Sequence, residues 1–171
     1  MKKSRKIIVS FALLSMLALM VPMAFAATPI VKQVTGGGWI LDLDCSGNTD
    51  KKTFGFNAEE LADGTVRGNV EFVEHGPWGG YERGYPHVHG YEITAITFTT
   101  EKEAWIYGIC RLNGDNTPRA FIVHVIDEDE PGKHDWFGIE IPSIGYDVGA
   151  ELGFPEDAGG GGNIQIHRPA P

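Results

Sequence analysis

Apolar residues recur at every second position through most of this chain, and turn residues interrupt the pattern at intervals of about ten residues. A period of two belongs to β-strands, whose successive side chains point to opposite faces. Ile93, Ala95 and Thr97 oppose Thr94, Ile96 and Phe98. Phe137, Ile139 and Ile141 alternate with Trp136, Gly138 and Glu140, an apolar-in, polar-out strand. Phe121, Val123 and Val125 face away from Ile122, His124 and Ile126. That run is apolar on both sides, as in a central strand. The pattern predicts strands over residues 31–43, 52–56, 66–74, 88–99, 104–112, 119–127, 135–141 and 163–167. Asp63-Gly64, Asn113-Gly114 and Glu130-Pro131-Gly132 supply turns. Gly36-Gly37-Gly38 inside the first run predicts a bulge or a close backbone approach. No Lys-Ser/Thr follows those glycines, which excludes a phosphate loop. Residues 57–63, with Ala58, Glu59, Glu60 and Leu61, form the one short helical or turn candidate. Glycines 159–162 read as a linker or crossover. About eight short strands predict an all-β fold, an antiparallel β-sandwich or a jelly-roll-like barrel.

The N-terminus sets the compartment. Lys2, Lys3, Arg5 and Lys6 precede an apolar run that ends in Ala24-Phe25-Ala26. This is the three-part pattern of a secretory signal peptide, with cleavage before Ala27. An uncleaved anchor is the alternative; Pro22 and the small residues at the cut site favour cleavage. Residues 1–26 are therefore expected to be the signal, and 27–171 a single domain, secreted or in the cell envelope, with no membrane span left. Beyond the signal, 10 basic residues face 23 acidic ones, a net charge of −13. Such a surface repels phosphate backbones, which argues against nucleic acid as a partner.

Two cysteines remain, Cys45 and Cys110. An even count in an exported chain predicts a disulfide; two buried free thiols are the alternative.

Three groups of residues are candidates for chemistry. Asp127, Asp129 and Asp135 lie in an acidic turn rich in the oxygen ligands that Ca2+ takes. The spacing is not that of an EF-hand, since Pro131 and Gly138 fall where ligands belong, so the site would be an inter-strand loop; the alternative is a solvated turn. His87 and His89 share one strand face, a spacing that holds Zn2+ or Cu2+ if Glu74, His75 or Glu92 converges as a third ligand. Chance pairing of two histidines is the competing account. His124, inside an apolar strand, reads as a core or interface histidine. The loop containing Trp78, Tyr81, Arg83 and Tyr85 is rich in rings, Gly and Pro, which suits a ligand-binding loop or an Ω-like loop packed on itself. Ser46 and Ser143 lack a nucleophile-elbow setting, so no catalytic constellation is visible.

An ordered series of motifs carries a resemblance. Thr35-Gly36-Gly37-Gly38-Trp39-Ile40 opens it, followed by Lys52-Thr53-Phe54-Gly55-Phe56-Asn57 and by Gly68-Asn69-Val70-Glu71-Phe72-Val73-Glu74-His75. Val125-Ile126-Asp127-Glu128-Asp129-Glu130-Pro131-Gly132, with Asp135 and Phe137, comes next, and Gly161-Gly162-Asn163-Ile164-Gln165-Ile166-His167 closes it. This series resembles the post-COAP domain family, small domains of exported and surface proteins. The resemblance implies a β-rich extracellular module with no assigned activity, so it carries over no catalytic residue. The chain departs from it in a longer aromatic loop between His75 and His87, in an extended segment over 143–158, and in its cysteines. Together these features predict a secreted, non-catalytic binding or structural module for an extracellular glycan or protein. The alternative is a metal-binding protein or metal-dependent hydrolase built on His87 and His89.

Overall fold

The computed structural model describes residues 27–43, 49–75, 87–128, 130–152 and 161–168. These form β1 (Ile30–Leu43), β2 (Thr49–Leu61), β3 (Val66–Glu74), β4 (His87–Phe98), β5 (Glu103–Leu112), β6 (Asp115–Ile126), β7 (Trp136–Ile141), β8 (Tyr146–Glu151) and β9 (Gly162–His167). A single 3-10 turn, Pro142–Ile144, joins β7 to β8. The fold is all-β and antiparallel. The strands make one sheet in the order β8-β7-β6-β5-β4-β3-β2-β1-β9. Instead of the two facing sheets of a sandwich, each strand from β1 to β8 pairs with its successor, and only β9 crosses back, to β1. Short links favour this, because neighbours in sequence pair at little entropic cost.

The sheet curls on itself. Phe54 of β2 and Phe137 of β7 stack with ring centroids 3.9 Å apart. Five strand spacings separate β2 from β7, roughly 24 Å along a flat sheet. The inner face is therefore a closed-up core, with Phe72, Phe121, Phe137, Ile106, Ile139 and Ile164 fully buried. Gly36 and Gly38 turn out to mark close approaches. A Cβ on Gly36 would lie 2.6 Å from the Phe56 ring, and one on Gly38 only 2.0 Å from the carbonyl of Gly161.

One polar cluster lies inside. Lys52 and Glu74 pair at 3.8 Å, and the Tyr146 hydroxyl donates to Glu74 Oε2 at 3.0 Å. It ties β2, β3 and β8 together at one end of the core. Buried ion pairs specify an arrangement more reliably than they stabilise one.

The seam beside β9 is closed by side chains. β9 pairs with residues 33–38 of β1 on one edge. On its other edge Ile164 N–H donates to Asp135 Oδ2 at 2.7 Å and Ile166 N–H to Asp127 Oδ2 at 2.9 Å. Asp135 Oδ1 also accepts from Glu128 N–H at 2.9 Å. Glu130 Oε1 accepts from Gln165 Nε2 at 2.9 Å. The acidic turn thus blunts an edge strand that would otherwise present open amides.

Three expectations change. Residues 57–61 are strand, not helix: Ala58 is buried between β1 and β3 partners, which outweighs the helix propensity of Ala-Glu-Glu-Leu. β8 is an additional strand, in the segment read as extended. The disulfide is absent: Cys110 is a free thiol, fully buried in the core. Cys45 lies outside the described residues.

Candidate ligand-binding groove

The outer face of the sheet carries a groove of about 460 Å³ over β5 to β8, within the usual range for small-ligand sites. The strand register builds it. Trp105 pairs with His124, His124 with Gly138, and Gly138 with Gly149, a straight row across four strands. Their neighbours Ile106, Val123, Phe137 and Val148 point into the core, so alternation sends the row outward.

Trp105 and His124 stack with centroids 4.0 Å apart and planes within 9°. This is close to the strand spacing, so the two rings stand side by side on adjacent strands. The next place in the row is Gly138, which has no side chain. The stack ends there, yet Gly138 is buried. Trp136 leans over the same glycines. A Cβ on Gly138 would lie 3.3 Å from the indole Nε1, and one on Gly149 only 3.0 Å from Cζ2. Trp136 is nevertheless 36% exposed, one of two large apolar residues on the described surface that remain so.

On the other side of the row, Glu140 and Asp147 sit directly opposite each other on β7 and β8. Both line the groove, and no lysine or arginine does. Like charges in registered positions are unfavourable. His124 is held by Glu103, whose Oε1 lies 2.9 Å from the imidazole Nε2. Hydrogen bonds from the Thr99 hydroxyl and from His124 hold the Glu103 carboxyl below the usual carboxylate range.

The predicted site residues fall elsewhere. His87 and His89 do lie on one outer face, and the carboxylate that meets them is Glu71, not Glu74, His75 or Glu92. Glu71 Oε2 is 3.0 Å from His87 Nε2, and Oε1 bonds His89 Nδ1. Glu74 points into the core, and His75 bonds the Thr53 hydroxyl at 2.9 Å. Among the described residues no group of three or more His, Cys, Asp or Glu is arranged to hold a metal ion. Asp127 and Asp135 hold β9, and Asp129 lies outside the described residues, as do Trp78, Tyr81, Arg83 and Tyr85. His124, expected in a core or interface, stands half-buried on the outer face beside Trp105. The groove itself was open to sequence reasoning only in part. The outward parity of Trp136 and Gly138 is readable; the arrival of Gly149 beside Gly138 is not.

No helix among the described residues is long and apolar enough to cross a membrane. Comparison with family models, curated proteins and solved structures found no match.

Proposed function

We propose that this chain is a secreted, non-catalytic extracellular binding module and that its ligand sits in the groove walled by Trp105, His124 and Trp136. The groove carries the reading: an exposed tryptophan laid across two glycines beside a Trp–His ring stack is unusual for a surface whose only task is solubility. Exposed aromatic anchors dominate the energetics of recognition surfaces. The leader over residues 1–26 and the resemblance to the post-COAP family fit an extracytoplasmic role, with a glycan or a protein as the partner. Binding without turnover fits the described nucleophiles. The Cys110 thiol is buried and its pKa is pushed up to about 11 by desolvation, and Ser143 engages Arg119. The barrel-like closure gives a rigid platform for such a surface.

The test is a panel of immobilised glycans and peptides probed with the chain from residue 27 onward and with its Trp105→Ala/Trp136→Ala variant. The reading expects at least one ligand that the variant loses and that is recovered chemically intact. Retention of every ligand by the variant would place binding elsewhere, and a cleaved ligand would make the protein an enzyme.

A metal site on His87 and His89 has one supporting observation, the meeting of both imidazoles on Glu71. A metal would have to replace those hydrogen bonds, and protein that retains only substoichiometric Zn2+ or Cu2+ after dialysis would remove this second reading.

A further inference from the structure

We infer that the groove takes an amino sugar, its pyranose ring stacked on the exposed Trp136 indole that covers Gly138 and Gly149, and its ammonium between Glu140 and Asp147. The inference rests on the binding-module reading above and narrows it to a ligand class.

Three features point the same way. Trp136 lies across Gly138 and Gly149 beside the Trp105–His124 stack and stays 36% exposed, a flat ring for a sugar to stack on. A pyranose offers a flat apolar face of C–H groups for that position. The carboxylates supply the charge. Glu140 and Asp147 lie one pleat period from Gly138 and Gly149, roughly 7 Å along the strands. Both side chains line the same groove as the glycines, so a cation carried by the ring is placed to meet both. Neither carboxylate has a hydrogen-bond or ion-pair partner among the described residues, and an ammonium relieves the repulsion between them.

Other ligand classes fit less well. Sulfated, phosphorylated or uronic sugars meet two carboxylates in a segment, residues 27–171, where 10 basic residues face 23 acidic ones. A neutral sugar stacks but leaves the acidic pair uncompensated. A lysine side chain brings the charge without a rigid apolar face to place against Trp136.

The test is calorimetric titration at pH 6, where a sugar amine is protonated. The chain from residue 27 onward is titrated with a glucosamine oligosaccharide, with its N-acetylated counterpart of equal length, and with an oligolysine peptide. The glucosamine oligomer is expected to bind, the N-acetylated one at least tenfold more weakly and the peptide not measurably. Glu140→Gln/Asp147→Asn should cost about tenfold for the glucosamine oligomer only. Trp136→Phe should weaken it less than Trp136→Ala, which should cost about thirtyfold. These surface substitutions leave the core untouched, and unchanged circular dichroism confirms folding.

Equal binding of both sugars, abolished by Trp136→Ala, would overturn the amino-sugar assignment and leave the binding module standing. Equal binding of oligolysine would overturn it in favour of unspecific charge. Failure of the sugars to bind would also overturn it, and failure of the whole glycan and peptide panel would take the binding module with it.

Discussion

Replacing Asp135 by Ala should be among the most destabilising single changes away from the aromatic core. The carboxylate is fully buried and accepts two amide hydrogen bonds, from Glu128 at 2.9 Å and from Ile164 at 2.7 Å. Alanine leaves both N–H groups without their acceptor. Each unsatisfied buried donor costs about 1–3 kcal/mol, so the pair amounts to roughly 4 kcal/mol. Asp135→Asn keeps the shape and one oxygen acceptor but turns an NH2 toward the other amide, and should cost about 2 kcal/mol. Asp127→Asn, which disturbs the amide bond from Ile166 in a half-buried setting, should cost about 1 kcal/mol. For a domain of this size 4 kcal/mol lowers Tm by roughly 12 °C. Urea unfolding is the assay: the midpoint should fall in the order Ala, Asn at 135, Asn at 127, with the slope unchanged. Hydrogen exchange at Ile164 and Ile166 should speed up first, because β9 loses its outer anchor before the meander opens. If Asp135→Ala stays within about 0.5 kcal/mol of the parent, the seam is held by something other than these carboxylates.

Other predictions follow from single groups. In a Cys45→Ser variant, Cys110 should ignore an aromatic disulfide reagent at pH 8 until denaturant is added. Burial raises its folded pKa to about 11, so as pH rises from about 9 through 11 the native state loses stability relative to the unfolded chain, and reactivity should appear over that window. Rapid labelling of native protein at pH 8 would contradict the buried site. Gly138→Val should fill the groove from its floor and abolish ligand binding while moving Tm by only a few degrees, because the added atoms meet a movable indole; retained binding would clear the groove of its role. Glu103 has a depressed folded pKa, so its contribution is present above the ordinary carboxylate pKa and is lost as pH falls through the lower folded value. Glu103→Gln should therefore lower stability at pH 7, converge with the parent as pH falls below about 4.5 and so flatten the acid limb, and an unaltered acid limb would refute the assignment.

Some of this molecule could be read directly and some could not, for physical reasons. β5, β6 and β7 were legible because their alternation is strict and each buries one side, as Ala104, Ile106, Val123, Val125, Phe137 and Ile139 do. The extension of β2 over 57–61 was misread because Ala, Glu and Leu favour helices locally, while pairing on both edges decides the outcome. β8 was missed because Gly149 and Ala150 are weak strand formers in a run of six. The contacts of the acidic turn with the amides of β9 were hidden because those partners come from 29 and 39 residues further on. Likewise Glu71 meets His87 and His89 only through the β3–β4 register, which composition cannot reveal. The groove depends on Trp105, His124, Gly138 and Gly149 falling in one row, a product of three successive registers.

The central claim is the location of the ligand. The four tryptophans give four indole N–H signals in a 1H–15N spectrum, which substitution assigns one by one. Titration with the glucosamine oligosaccharide should shift Trp105 and Trp136 together and leave Trp39 and Trp78 in place. A shift confined to Trp78 would move the site to the aromatic loop and contradict the groove.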